Sequence, residues 1–292
     1  MAAMLSAQPR SSLPEKPVEV WLGGDVNLGD GGRGQLNDIA GIVQGAAGIV
    51  NLEGPAGNRP TGTSRKLHLW NSPDALGELR GLNVKVAGIA NNHSGDAGDS
   101  GPLRSAEILR TSGILPTGGP AGPATLEIGG IKIVVTAHDL TRGVPPALAA
   151  DLQKARSTAD FLIATFHVTG PASYLPRPEL RRAVEIAYNA GATVIAAHGT
   201  HAVGPVERRE HAVIAWGLGN VAFACDCTQE REAILLRVKL TKSGVAGAEV
   251  VPIDAGLNGA RATAAADPKS IFDLLEAIGS SKLQRHGPSA SF

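Results

Sequence analysis

Residues 84–98 read V-K-V-A-G-I-A-N-N-H-S-G-D-A-G, an apolar run that breaks abruptly into polar and glycine positions. The apolar part predicts a buried strand. The polar side chains at or just beyond its end are those of Asn91, Asn92, His93 and Asp96. Amide oxygens, an imidazole and a carboxylate so close together suit a metal ion, an anion or a proton-transfer step. The alternative is a strand followed by a simple turn, in which Asn and Asp supply turn chemistry.

The same pattern recurs at the ends of other predicted strands. Besides Asn92 and His93, the residues concerned are Asp25, Glu53, His167, His198 and His201. In open α/β architectures the carboxyl ends of the strands border one crevice, and sites form there. Five strands that end in this way therefore predict one shared site. Its imidazoles, carboxylates and amide suit Mn, Fe or Zn better than Ca or Cu(I).

The bulk composition is that of a globular protein without a charge bias. The chain has 292 residues, of which 43% are hydrophobic and 18% are charged, and its 27 basic residues balance 27 acidic ones. A net charge of zero argues against a nucleic-acid or anionic-membrane partner that depends on a global field. Aromatic residues make up 3% of the chain, which weakens a base-stacking function.

We predict a flexible leader over residues 1–16, a single folded domain over residues 17–283 and a loose tail over residues 284–292. The leader contains no apolar core of signal-peptide length, and no later run approaches the length of a membrane span. We therefore expect a cytoplasmic protein without a membrane span. The sequence does not indicate an oligomeric state.

The two cysteines, Cys225 and Cys227, are separated by one residue. That spacing is short for a disulfide, and no second pair completes a zinc site. We therefore expect two thiols at a strand end.

Helical and strand patterns alternate along most of the chain, which favours an α/β fold. Helices are predicted over residues 35–45, 101–111, 145–157, 177–190 and 267–283, with a further helix that starts at Ser72 and Pro73. Strands are predicted over residues 18–23, 46–52, 159–166, 193–197, 211–216, 233–240 and 248–252, with a hairpin over residues 124–136.

The order of the motifs resembles that of the CapA family, the poly-γ-glutamate capsule biosynthesis proteins. The motifs are G-D-V at 24–26, N-L-E-G-P at 51–55, A-N-N-H-S-G-D-A-G at 90–98, A-H-G-T-H at 197–201 and G-L-G-N at 217–220. The resemblance covers residues 18–223. It implies an α/β (α+β sandwich) architecture of the calcineurin-like metallophosphatase fold, with two packed mixed sheets flanked by helices. It also implies a peptide-like or poly-γ-glutamate-like substrate.

The resemblance further implies roles for individual residues. One metal position would take Asp25, Glu53 as a bridge, and His201. The other would take Glu53, Asn92, His167 and His198. His93 would act on the substrate as a general acid or charge stabiliser, with Asp96 orienting it. Asp25 is a further candidate catalytic residue, as an acid/base group if no metal is bound.

Three departures from the family pattern affect these roles. Asn27 stands where the fold normally has a histidine ligand, so that position would have only a weaker amide oxygen. Glu53 replaces the aspartate usual in phosphoesterases, although glutamate is normal in CapA-like chains. No glutamate follows His167, which alters the wall of the substrate site.

For an anionic substrate, we predict contacts from Arg33, Arg104 and Asn220.

Three functions remain open from the sequence. The first is a metal-dependent hydrolase or acyl/amide transferase that acts on a carboxylate-rich peptide with one or two transition-metal ions. The second keeps the scaffold without a metal. It uses Asp25 and His93, or one of the paired histidines His198 and His201, on opposite faces of a substrate Cα, as an epimerase does. The third is a non-catalytic accessory subunit of polyglutamate synthesis.

Overall fold

The computed structural model describes residues 16–43, 45–60 and 67–292. The predicted leader lies outside the described residues except for Lys16.

Strands and helices alternate through most of the described chain. The strands are β1 (Val18–Asn27), β2 (Ala47–Leu52), β3 (Val84–Gly88), β4 (Leu115–Thr117), β5 (Ala124–Ile128), β6 (Ile131–Asp139), β7 (Phe161–His167), β8 (Val194–His198), β9 (Val206–Arg209), β10 (Ala212–Ala215), β11 (Asn220–Phe223), β12 (Glu232–Thr241), β13 (Gly244–Asp254), β14 (Gly256–Leu257), β15 (Thr263–Ala264), β16 (Gln284–His286) and β17 (Ser289–Ser291). The helices are α1 (Ala40–Val43), α2 (Pro73–Gly81), α3 (Gly101–Thr111), α4 (Leu148–Arg156), α5 (Pro178–Asn189) and α6 (Pro268–Ala277), with 3-10 turns at Asn37–Ile39 and Gly119–Ala121.

The strands form two mixed sheets. The first sheet has the order β16-β17-β13-β12-β1-β2-β3-β4, with β11 beside β1 and with β14 and β15 at its margin. The second sheet has the order β5-β6-β7-β8-β10-β9. Strands β1 to β4 run parallel to one another, as do β6, β7, β8 and β10. The outer strands β12, β13, β5 and β9 pair in antiparallel fashion.

One hydrophobic core lies between the sheets, and two more lie under the helices. Val20 and Leu22 of the first sheet share the central core with Ile133 and Ile163 of the second sheet. Alternate residues of the same strands point outward: those of the first sheet pack with α2 and α3, and those of the second sheet pack with α4 and α5. This alternation is what a strand buried on both faces requires. The predicted architecture of two packed mixed sheets flanked by helices is confirmed.

Local sequence explains where the helices start and which face they bury. In α2, Pro73 occupies the first turn, and the Ser72 hydroxyl accepts a hydrogen bond of 3.3 Å from the Ala75 backbone N–H. Both features are typical of helix N-termini. In α5, the buried positions Leu180, Ala183, Val184 and Ala187 follow helical spacing and face the second sheet.

Parallel strands deliver their polar ends to one edge of the sandwich. In the first sheet, Asp25 lies opposite Asn51 on one side and opposite Asn220 on the other. In the second sheet, His167 lies opposite His198. The edge where these strands end is therefore where the predicted site forms.

Two predictions outside this edge are wrong. Residues 284–292 are not loose, because β16 and β17 form a hairpin whose second strand pairs with β13, and Ala290 is fully buried. Cys225 and Cys227 are joined by a disulfide, because a turn brings their Cα atoms to 5.3 Å, within the range that a disulfide spans. Within the described residues, no helix is both long and apolar enough to cross a membrane.

Candidate metal centre

The backbone around Asp25 depends on a close approach between two chain segments. The Asp25 N–H donates to the Gly219 carbonyl at 3.1 Å. A Cβ atom at Gly24 would lie 2.0 Å from that same carbonyl oxygen, so only glycine fits there. The pairing of β1 with β2 also shifts register between Leu22 and Asp25. This irregularity presents the Asp25 side chain at the strand end.

The Asp25 carboxylate is fully buried and accepts hydrogen bonds through both oxygens. Oδ1 accepts from the Asn51 side-chain Nδ2 at 2.8 Å, and Oδ2 accepts from the Gly199 backbone N–H at 2.7 Å. Three imidazoles adjoin it. His198 Nδ1 and His167 Nδ1 lie 3.3 and 3.8 Å from Oδ1, and His201 Nδ1 lies 3.6 Å from Oδ2. Asp25 is thus the point at which strand ends from both sheets meet.

His167 and His198 form the second-sheet side of the site. Their Nδ1 atoms lie 3.1 Å apart, and His167 Nε2 lies 2.7 Å from Asn92 Oδ1. An amide oxygen only accepts, so His167 Nε2 carries the proton in this arrangement. Burial lowers the pKa of His167 to about 3, which keeps the ring neutral. Its Nδ1 lone pair therefore faces the interior of the site.

Two sets of side chains bring metal-ligating atoms within 4.8 Å of one another. The first set is Asp25, His167 and His198, and the second is Asp25, Glu53 and His201. Asp25 belongs to both sets. The resemblance implied Glu53 as the shared ligand, whereas the geometry makes Asp25 the residue common to both positions. The reason is that β1 lies between β2 and β11, so its end reaches both groups of histidines.

The pKa values of the two buried carboxylates, Asp25 and Glu53, are shifted in opposite directions. Burial opposes ionisation of Asp25, but the hydrogen bond and charge of His198, with a smaller contribution from His201, hold its pKa well below the usual range. Burial raises the pKa of Glu53, and the negative charges of Asp25 and Asp96 raise it further. A neighbouring cation would relieve the repulsion at Glu53.

Two atoms of this cluster are buried without a hydrogen-bond partner: Glu53 Oε2 and His198 Nε2. An unpaired buried polar atom is costly, and native structures rarely leave one without a reason. Both atoms are electron-pair donors to a divalent transition metal. The donor set and its two open atoms therefore fit a metal ion.

The loop after β3 places an imidazole at the rim of the site. His93 Nδ1 lies 2.8 Å from Asp96 Oδ2, and that oxygen also accepts from the Leu69 backbone N–H at 2.9 Å. Asp96 is buried, whereas the His93 side chain is 16% exposed. A fixed carboxylate behind a partly exposed imidazole is an arrangement that orients a proton donor or acceptor.

Two predicted site residues support other parts of the site. Asn27 Nδ2 donates to the carbonyls of Glu53 and Trp70, at 3.1 and 2.9 Å. Asn220 is fully buried, its Oδ1 lies 2.8 Å from His201 Nδ1, and its Nδ2 contacts Thr228. Asn27 therefore fixes the Glu53 backbone. Asn220 orients the His201 ring and presents no exposed face to a substrate, contrary to the prediction.

The two predicted arginines lie in different cavities. Arg33 borders a cavity of about 190 Å³ whose walls include Asn27 and Leu69. The Asn27 side chain donates to the Glu53 carbonyl, and the Leu69 N–H donates to Asp96. Arg104 borders a separate cavity of about 420 Å³, together with Arg59. The structure therefore places Arg33 in a cavity that Asn27 also lines, and it does not bring the two arginines together.

Sequence reasoning missed two contributors to the site. Asn51 joins Asp25 to Asn91, because Asn91 Nδ2 donates to Asn51 Oδ1 at 3.1 Å. The Gly199 N–H completes the Asp25 contacts. The amide of Asn51, at the end of the predicted strand in the N-L-E run, could have been identified from the sequence as a polar residue at a strand end. A backbone N–H leaves no residue-type signal.

The fold and site together define an α/β sandwich with a buried carboxylate–histidine cluster at one edge. The family model described as "Bacterial capsule synthesis protein PGA_cap" matches residues 35–225. That match spans more than half of the chain, so the chain belongs to this family.

One sequence relative agrees with this assignment, and solved structures are similar in part. The PGA biosynthesis protein CapA of Bacillus subtilis (strain 168) is 26% identical over 212 residues, which cover 65% of this chain and 56% of that protein. The chain thus spans little more than half the length of this relative. A hypothetical protein from Thermus thermophilus shares the fold, with a TM-score of 0.56 and 12% identity over 82% of this chain and 100% of that chain. Purple acid phosphatase PPD1 from yellow lupin (Lupinus luteus) has a TM-score of 0.40 and 9% identity, over 82% of this chain and 52% of that chain.

Proposed function

We propose that the chain is a metal-dependent enzyme that catalyses hydrolysis or acyl/amide transfer. Its substrate would be a peptide-like and carboxylate-rich molecule of the poly-γ-glutamate type. The observation that carries the metal is the pair of unpartnered buried atoms, Glu53 Oε2 and His198 Nε2. The family match and the name of the Bacillus relative support the substrate class.

The residues that would hold the ions follow from the two ligand sets. Asp25 would be shared, with His167 and His198 on one side and with Glu53 and His201 on the other. Imidazole and carboxylate donors favour Mn, Fe or Zn. Asn92 contacts His167 and would contribute by fixing that ring, or as a further oxygen ligand.

When bound, the metal would supply Lewis acidity to a substrate carbonyl and lower the pKa of a water molecule. The protein's own residues would then position the reacting groups. His93 faces the rim, where it would hold or give a proton to the leaving amine, and Asp96 would keep its ring oriented. Arg33, in the cavity that Asn27 also lines, would bind a substrate carboxylate. For Arg104, the separate cavity suits a more distant carboxylate of the same chain.

The test is cleavage of a γ-linked glutamate oligomer by the purified protein, followed by chromatography of the products. We expect cleavage that a chelator abolishes and that added Mn or Zn restores. The variant His93→Gln is expected to lose about 100-fold or more in kcat while it retains the metal, as removal of a general acid does. The exposed ring of His211, which stacks on Tyr188, provides the matched control His211→Gln.

Two other outcomes would replace this proposal. Inversion of a substrate Cα in the presence of chelator would establish the epimerase. Binding without turnover, unchanged in His93→Gln, would establish the accessory subunit. The geometry does not favour the epimerase, because both Asp25 oxygens already accept hydrogen bonds and the carboxylate is fully buried.

A further inference from the structure

A second polar cavity, of about 410 Å³, lies on the outer face of the second sheet. Strand β6 supplies one wall through its alternate residues Val134, Thr136 and His138. Helix α4 supplies the opposite wall, and the glycine-rich turn over residues 118–122 forms the rim.

Strand β6 separates this cavity from the metal centre. Ile133 and Val135 point into the core between the sheets, so Val134, Thr136 and His138 point the other way. His167 follows Ile163 on the inner face of β7. The two sites therefore lie on opposite faces of the same sheet.

Two polar atoms in this cavity are buried without a hydrogen-bond partner: Thr136 Oγ1 and His138 Nε2. Thr136 is only 4% exposed. Burial also lowers the pKa of His138 to about 4, so its imidazole is neutral at physiological pH. One unpaired atom is a minor defect, but two that line the same cavity indicate a polar and uncharged ligand group between them.

Helix α4 adds a pair of opposite charges at the mouth of the cavity. Asp151 and Lys154 are exposed, lie three residues apart and both line the cavity. Among the described residues, no ion pair joins either of them to an opposite charge. They are therefore free to receive an ammonium group and a carboxylate that belong to one ligand.

We propose that this cavity binds an α-amino acid head group whose side chain ends in an amide. The ammonium would face Asp151, the α-carboxylate would face Lys154, and the amide would reach Thr136 and His138. Two sources share this chemistry: free glutamine, and the amino-terminal residue of a γ-linked glutamyl chain, the latter resting on the proposed function. Glutamate itself fits less well, because nothing at Thr136 or His138 compensates a second buried negative charge.

The position of the cavity suits the chain end in particular. His138 also borders a neighbouring cavity of about 280 Å³, whose walls include Asn91 and Ser94 on either side of the Asn92–His93 pair. A γ-linked chain anchored by its amino end would continue through this space toward the metal centre.

The test is isothermal titration calorimetry of the full chain with L-glutamine, γ-L-glutamyl-L-glutamate and L-glutamate. We expect saturable binding of the first two, and binding of glutamate that is about tenfold weaker. Lys154→Gln should weaken binding about tenfold or more, because it removes a charged hydrogen bond. Lys132→Gln, an exposed lysine on β6 outside the cavity, should leave binding unchanged. Thr136→Val keeps the shape of the side chain and should weaken binding about fivefold.

The outcomes separate this inference from the proposed function. The same titrations on chelated protein and on His198→Ala should give unchanged affinity, whatever the activity assay shows. Binding of both ligands supports the chain-end source, and binding of glutamine alone supports the free amino acid. The proposal is overturned by the absence of saturable binding at millimolar ligand, by equal affinity in Lys154→Gln, or by loss of binding in His198→Ala.

Discussion

The chemistry of the site rests on how a few buried polar atoms are paired. Asp25 is stabilised as a carboxylate by donors from Asn51 and Gly199, while Glu53 is left with one oxygen unpartnered. A cation beside both carboxylates would offset their mutual repulsion, which is the physical basis for placing a metal there.

Asn51 is the residue whose removal tests this pairing most selectively. Asn51→Ala deletes the donor to Asp25 Oδ1 and the contact to Asn91, and it leaves every metal-ligating side chain in place. Loss of such a supporting contact weakens metal affinity by about 10- to 100-fold. Competition titration with a chelating indicator measures this loss. Asn189→Ala, at an exposed position at the end of α5, is the control. Equal affinity in both variants would show that Asn51 does not support the ligands.

The buried imidazole of His138 gives a pH dependence of stability that is independent of the metal. In the folded state, burial lowers its pKa from an ordinary value of 6.5 to about 4, and the charge of Asp151 offsets part of this effect. Between those values the unfolded chain takes up a proton that the folded chain does not, so stability falls as the pH drops from 6.5 toward 4. The contribution is about 2 kcal/mol at pH 4.5.

Urea unfolding at pH 7.5 and 4.5 in the presence of chelator measures this effect. His138→Leu should lose less stability than the wild type over the same interval, by about 2 kcal/mol. Equal losses in the two proteins would mean that His138 is not buried as a neutral group.

Much of the site was predictable from residue types at strand ends, and the remainder was not. His167 and His198 each follow an apolar run directly, and Asp25 follows one after Gly23 and Gly24, so their convergence could be inferred from a parallel sheet. Which carboxylate the two ligand sets share depends on distances between strands that are far apart in sequence. The resemblance implies Glu53, whereas the ligand-atom distances make Asp25 common to both sets. The substrate contact predicted for Asn220 failed for a similar reason, because its pairing with His201 is set by the loop that follows β8.

At the level of elements, local signals located the helices and hairpins but not the short edge strands. Helix α3 spans the predicted residues 101–111, because its apolar positions keep helical spacing. Strands β4 and β9 are only three and four residues long and carry little periodicity. The tail over residues 284–292 looked loose because its hairpin forms only against β13, far away in sequence.

The end of β1 depends on a glycine that no other residue can replace. A Cβ atom at position 24 would lie 2.0 Å from the Gly219 carbonyl, so Gly24→Ala must separate β1 from the Gly219 segment. We expect a loss of about 3 kcal/mol or more in the free energy of unfolding, with displacement of Asp25 and loss of metal binding.

Gly41→Ala is the matched control for this variant. Gly41 lies in α1, and a Cβ atom there would meet nothing within 4 Å. Alanine at that position should be neutral or stabilise the protein by up to about 1 kcal/mol. Denaturant unfolding of both variants measures the difference, and equal stability would contradict the required approach of the two segments.

At the scale of the whole molecule, the candidate metal centre lies where the two sheets meet. Asp25 and Glu53 come from the first sheet, whereas His167 and His198 come from the second. An ion held by both would link the two halves of the sandwich and would stabilise the folded state by mass action. The sheets themselves hold together without it, because a shared hydrophobic core packs between them.

The most direct measurement is the metal content, by mass spectrometry, of protein purified without added metal, with His198→Ala and the exposed-position variant His211→Ala beside it. We predict one or two equivalents of Mn, Fe or Zn in the wild type, since two ligand sets are present. His211→Ala should retain this content, and His198→Ala should lose at least one ion. A wild-type protein without a transition metal, or equal metal content in His198→Ala, would contradict a metal centre at Asp25.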